Sequence, residues 1–113
     1  LRSIAPNDAG ILFQLGIVHY QAERFLKAQE VLADAVKVAP DYANALYFLG
    51  LAYDRNGDRA SALAQFERVL RLNPGNADIA AVISNVKSGR PALASDSAPQ
   101  PLEDAAGEVL KIR

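Results

Sequence analysis

The residues able to do chemistry are few. His19 is the single histidine of the 113-residue chain, and there is no cysteine. A general base or metal ligand needs partners within reach, and no nucleophile or second ligand recurs at a matching spacing around His19. Asp34 with Glu30, and Glu67 with Asp54, are the carboxylate pairs that acid–base catalysis would call on. Both pairs fall on helical stretches, where solvated charge is the ordinary role. Gly10 and Gly16 lack the strand–turn–helix setting of a phosphate loop. Asn56-Gly57-Asp58 and Asp41 lack the acidic density of a calcium loop. The expectation is a non-catalytic chain without cofactor or metal.

What the chain does carry is a period. Pro6, Pro40 and Pro74 follow one another at a spacing of 34 residues. At that shift Ala9 meets Ala43, Leu12 meets Leu46, Leu15-Gly16 meets Leu49-Gly50, and Ala28 meets Ala62. Similar residues fill other matched sites: Phe13/Tyr47, Ile17/Leu51, His19/Tyr53, Leu32/Phe66, Lys37/Arg71 and Val38/Leu72. A strict period of this length marks a stacked array whose units bury their apolar faces against one another. His19 then stands at an aromatic packing site, as Tyr53 does in the sister unit.

Helical spacing positions these residues. Apolar side chains at 11, 12, 15, 18 and 19/20, and again from Phe25 to Val38, recur with the period of a helix. Four antiparallel helices are expected over 8–21, 25–38, 42–55 and 59–72. Gly57 can take a positive φ to end one helix, and Asp58 can cap the next. Pro40 and Pro74 end helices, and Asp41 or Asn76 can cap the successor. Gly16 and Gly50 sit inside helices at a cost of up to about 1 kcal/mol relative to Ala. Close approach of the partner helix at Ala28 or Ala62 is the expected compensation.

Within each unit the pattern resembles the tetratricopeptide repeat (TPR). The second unit reads Leu46, Leu49-Gly50, Tyr53, Ala62, Phe66, Pro74; the first reads Leu12, Leu15-Gly16, His19, Ala28, Leu32, Pro40. Leu12 and Leu46 stand where the family has Trp. The resemblance implies an all-α array, a right-handed superhelix of antiparallel helix pairs. It divides the chain into the end of a preceding repeat (1–8), repeat 1 (9–42), repeat 2 (43–76), a capping helix (77–88), a flexible linker (89–101) and a tail (102–113). Leu1–Ala5 corresponds to the last turn of a second helix, and the chain has no Met. A C-terminal piece of a longer protein is therefore expected, with repeats upstream. In the cap, Ile79, Ile83 and Val86 should face inward.

The resemblance also implies a concave groove lined by the first helix of each pair, which takes a peptide or a helix. Its residues here are Phe13, Gln14, Ile17, Tyr20 and Gln21, then Asn44, Tyr47, Phe48, Leu51 and Arg55, then Asp78, Ala81, Val82 and Asn85. Family members that clamp chaperone tails have Lys, Arg and Asn at the sites of Phe13, Ile17, Leu51, Ala81 and Asn85. Only Asn85 matches, so that ligand is not expected. Phe13/Tyr47 and Ile17/Leu51 form an apolar stripe. If exposed, it suits an apolar or amphipathic peptide anchored on aromatic rings; the plainer alternative is packing between repeats, most of all for Phe48.

Composition sets limits. The chain is 50% hydrophobic with a formal net charge of −1, so no basic surface argues for nucleic acid and no polybasic run for membrane binding. No apolar run approaches the roughly 20 residues of a membrane span. Without cysteine there is no disulfide, and the compartment stays undecided.

The tail changes character along its length. Ser88–Pro101 is rich in Ser, Ala and Pro and reads as a flexible linker. From Pro101 a helix is possible, with Glu103 and Asp104 near its N-terminus and Lys111 and Arg113 near its C-terminus. Leu102, Ala105, Ala106, Val109 and Leu110 would share one face. Gly107 and the short length make such a helix dependent on a surface. Docked in its own groove it would be an autoinhibitory plug. Exchanged between copies, or joined through the open edge at Leu1–Ala5, it would make a homo-oligomer.

Overall fold

A computed structural model describes residues 8–93. Five helices follow one another: α1 (Ala9–Gln21), α2 (Phe25–Val38), α3 (Ala43–Arg55), α4 (Arg59–Leu72) and α5 (Ala77–Lys87). Among the described residues there is no strand. Each helix packs on its successor, and α1 also touches α3. The molecule is an all-α helical repeat array. The possible helix over 102–113 and the segment 1–7 lie outside the described residues.

Short polar side chains start three of the helices. Asp8 Oδ1 accepts from Ile11 N (3.0 Å), Asp58 Oδ1 from Ser61 N (3.2 Å) and Asn76 Oδ1 from Ile79 N (3.1 Å). Each satisfies a backbone donor that the helix itself leaves orphaned. Asp41 does not cap α3. The N-cap is Tyr42, without a side-chain hydrogen bond, and its ring is buried 5.0 Å from that of Phe13. Aromatic burial between the repeats sets this boundary one residue later than capping chemistry suggested.

The two helical glycines mark close crossings, but against different atoms than expected. A Cβ on Gly16 would sit 2.5 Å from Leu32 Cγ, and one on Gly50 would sit 2.6 Å from Phe66 Cε1. The contact is thus with the large side chains of α2 and α4, while Ala28 and Ala62 are buried alongside. The core runs through the stack from Phe13 and Leu32 by way of Leu46, Phe48 and Phe66 to Ile79 and Ile83. In α5, Ile79, Ile83 and Val86 face inward as expected. Val82 is buried with them, because α5 packs on α4 and closes the end of the core.

Candidate protein-interaction face

One face of α3 carries Asn44, Tyr47, Leu51 and Asp54/Arg55 at steps of three and four residues, which align along a helix. The corresponding face of α1 carries Phe13, Ile17, Tyr20 and Gln21. Phe48 joins the two: its ring lies 5.8 Å from Phe13, 6.0 Å from Tyr20 and 5.4 Å from Tyr47, each in an edge-on arrangement. Tyr47 continues the chain to Phe66 at 6.2 Å. Edge-to-face contacts of this kind add to what area burial alone provides.

The stripe expected to be exposed is therefore largely closed. Tyr47 is 4% exposed and Leu51 1%; Phe13, Tyr20 and Asn44 are buried as well. Ile17 is half-buried against the core, and Gln14, Gln21 and Arg55 are exposed. Helical spacing identified the shared face but not how densely aromatic rings fill it. Burial also changes the acidity of the tyrosines. It pushes the Tyr47 hydroxyl up to about 12, with the charge of Asp78 and the neighbouring Tyr20 adding to the effect. Tyr20 is raised by burial too, partly offset by a hydrogen bond from Arg55. Arg55 also stands 4.3 Å above the ring of Phe25, which meets Tyr20 edge-on at 5.1 Å. A cation over an aromatic face is attracted to its negative quadrupole.

Other candidates resolve into packing or surface. His19 is half-buried, and its Nδ1 accepts from Arg24 Nε at 3.0 Å. Glu30 pairs at 3.8 Å with Lys27 on an exposed surface, where an ion pair adds little. No group of three or more metal-ligating side chains occurs among the described residues. None of the described helices is long and apolar enough to cross a membrane.

Asp54 is the residue that sequence reasoning misplaced. Its side chain is 8% exposed and pairs with Arg59 at 3.4 Å. Its Oδ2 accepts from the backbone N–H of Ala92 at 3.1 Å. From α5, Asn85 Nδ2 donates to the carbonyl of the same Ala92 at 3.0 Å. Arg59 donates to the carbonyls of Gly89 and Arg90, both at 2.9 Å. Residues 89–93, expected to begin a flexible linker, are thus tied down: Ala92 is 1% exposed and Leu93 packs against the core. A signal was present in the sequence. Asp54 stands where repeat 1 has the aromatic Tyr20, a break in the pattern that asks for a polar partner.

With the helix pairs and the inter-repeat aromatic contacts in place, comparison with known proteins decides the family. The tetratricopeptide repeat profile matches residues 13–78. The chain belongs to the tetratricopeptide repeat family. Over 48 residues it is 46% identical to cellulose synthase operon protein C of Escherichia coli (strain K12), covering 42% of this chain and 4% of that protein. Over 85 residues it is 35% identical to the Hsp70-Hsp90 organizing protein of Triticum aestivum, covering 73% of this chain and 14% of that protein. The chain spans only a small part of the length of either relative. TPR repeats are protein-interaction repeats, and this array shares that general role.

Proposed function

We propose that this TPR array is a scaffold whose concave face, built by α1, α3 and α5, takes an apolar or amphipathic peptide or helix from a partner protein. The observation that carries this reading is the make-up of the face. The rings of Tyr42, Phe13, Phe48 and Tyr47 pack in series as a buried, rigid backing beneath the face, and the groups that reach solvent over it are half-buried Ile17 and exposed Gln14, Gln21 and Arg55. A small apolar centre among polar side chains follows the usual anatomy of an interface. The wheat relative is named as an organizer of Hsp70 and Hsp90. Here Asn85 alone matches the chaperone-tail clamp, and it is already engaged by Ala92, so an apolar ligand is favoured over a terminal carboxylate. The test is an NMR titration with a panel of synthetic amphipathic helical peptides. Shifts confined to α1, α3 and α5, weakened by Arg55→Glu with Gln21→Glu, are expected; shifts centred on α2 and α4 would overturn the reading.

A second reading, self-association, has its own observation. Ile11, Leu15 and Val18 on α1 are 41%, 36% and 53% exposed, whereas their repeat counterparts Ala45, Leu49 and Ala52 are buried in a helix packed on both sides. This edge of α1 is a stacking surface for another repeat or a second copy. Light scattering at increasing concentration tests it: a mass that rises and returns to the monomer in Leu15→Glu with Val18→Glu supports it, and a constant mass rejects it.

A further inference from the structure

The edge of α1 that carries Ile11, Leu15 and Val18 has two counterparts in the same molecule. One shift of the 34-residue period gives Ala45, Leu49 and Ala52 on α3, and a second gives Ile79, Ile83 and Val86 on α5. Both counterparts are buried, while on α1 the edge is open. What α3 and α5 have, and α1 lacks among the described residues, is a helix stacked ahead: α2 before α3, and α4 before α5. Positions 11, 15 and 18, extended by exposed Ala22, alternate steps of four and three, the seam along which two helices pack. Of the five large apolar side chains exposed among the described residues, three lie on this edge.

Two surfaces of a second copy could cover it. The far end of the array is one, and it is unsuited: the outward side of α5 carries Ala80, Ala81, Ser84 and Lys87, all exposed and none large and apolar. Head-to-tail stacking, the kind that grows into filaments, therefore finds no apolar mate there. The α1 edge itself is the other. A two-fold contact sets a surface against itself, so every charge in it meets its like. Helix α1 holds no Asp, Glu, Lys or Arg, whereas each of the other four helices holds at least two. We infer that two copies of the chain pair through their α1 edges as a closed, antiparallel two-fold dimer. This rests on the reading of that edge as a self-association surface, and it adds the partner face, the symmetry and the limit of growth. The direction follows from α2, which a short loop makes antiparallel to α3 and which stacks on α3 from repeat 1. Antiparallel helices also bring opposite macrodipole ends together. Ile11 of one copy then meets Val18 of the other, and the two Leu15 side chains meet beside the axis.

The absence of cysteine makes the test clean. In this register the two Leu15 positions are offset by about 1.5 Å along the helices and the two Ile11 positions by about 10 Å, from the rise per residue. A disulfide needs Cα atoms within roughly 7 Å. Under mild oxidation of the full chain, Leu15→Cys should link to itself and Ile11→Cys should not. Ile11→Cys mixed with Val18→Cys should give the mixed disulfide. Sedimentation of the unsubstituted chain at increasing concentration should approach twice the monomer mass and stop there. Leu15→Glu should raise the dissociation constant about tenfold or more, because a charge then enters the seam from both copies. Self-linking of Ile11→Cys and of Val18→Cys would mean parallel pairing, and a mass that passes two copies would mean open growth. Either result overturns this inference while leaving self-association through α1 standing. A dimer that Leu15→Glu does not weaken would place the contact elsewhere and overturn both. A constant monomer mass would also overturn both.

Discussion

Repeats 1 and 2 share one template and differ in what surrounds it. In α3 every residue from Ala43 to Ala52 is buried; in α1 only Ala9, Phe13, Gly16 and Tyr20 are. The side chains at matched sites are alike, so the difference comes from position. Helix α3 has α2 on one side and α4 on the other, whereas α1 has α2 and a lighter contact with α3. In a stacked array the stability of a unit is the sum of its own folding term and the interface terms with its neighbours. The turn between the paired helices differs too. Repeat 2 places Gly57 at φ 85°, and repeat 1 places Glu23 at φ 62° in the matching position. The inner repeat is thus both better covered and less strained.

The largest test of that comparison uses one matched pair. Leu51→Ala removes a side chain that is 1% exposed and should cost about 2–5 kcal/mol, the range for truncating a buried aliphatic residue. Ile17→Ala, at the half-buried counterpart, should cost clearly less. Chemical denaturation of the two variants measures the gap. Equal losses would mean that coverage by neighbouring helices does not set the energetics. Leu51 is consequently a poor choice for a binding-only mutation, because its loss would unfold the repeat before it reported on a ligand.

The period of the array was legible in the sequence down to single residues, and so were six of the eight ends of the first four helices, the Asp58 and Asn76 caps and the inward face of α5. These follow from local chemistry: helical spacing, capping donors and the conformational freedom of glycine. The fate of the concave stripe was not legible. Whether Tyr47 faces water depends on Phe48 and Phe66 meeting it from the side, which periodicity does not encode. The docking of residues 89–93 was missed for a related reason. A Gly/Pro/Ala-rich stretch reads as a linker by composition, yet its backbone is held by Asp54 and Arg59, 38 and 30 residues away in the chain.

A smaller effect distinguishes the repeats by pH. The Tyr47 hydroxyl titrates at 10.0 when solvated and at about 12 in the fold. A folded value above the unfolded one means that the fold favours the protonated phenol. Its contribution is complete below pH 10 and is lost as pH rises through about 12, amounting to about 2–3 kcal/mol at most. Denaturation midpoints should therefore fall over that window, and Tyr47→Phe should flatten the fall. Phe13, the counterpart of Tyr47 in repeat 1, does not ionise, and the burial that raises Tyr20 on α1 is partly offset there by Arg55, so the alkaline loss should be greater in α3 and α4 in hydrogen exchange. A loss that appears first in α1 and α2 would place the sensitivity elsewhere.

The smallest prediction concerns the two turns. A non-glycine residue at positive φ costs roughly 1–2 kcal/mol, because its Cβ crowds the following carbonyl oxygen. Glu23 bears that cost at φ 62°, held there by the hydrogen bonds of its own turn: Glu23 N donates to the carbonyl of Tyr20 and Arg24 N to that of His19, both at 2.9 Å. Repeat 2 closes the same turn with Gly57 N donating to Asp54 O and Asp58 N to Tyr53 O. Glu23→Gly leaves those bonds intact and removes the steric conflict. It also gives the unfolded chain more freedom, which offsets part of the gain. The net expectation is stabilisation of about 1 kcal/mol, with the complementary Gly57→Ala destabilising by a similar amount. A thermal or denaturant midpoint that moves up for the first and down for the second supports the strain difference between the repeats. If Glu23→Gly lowers the midpoint, the side chain of Glu23 contributes more than its backbone costs, and the two turns are equivalent in energy though not in sequence.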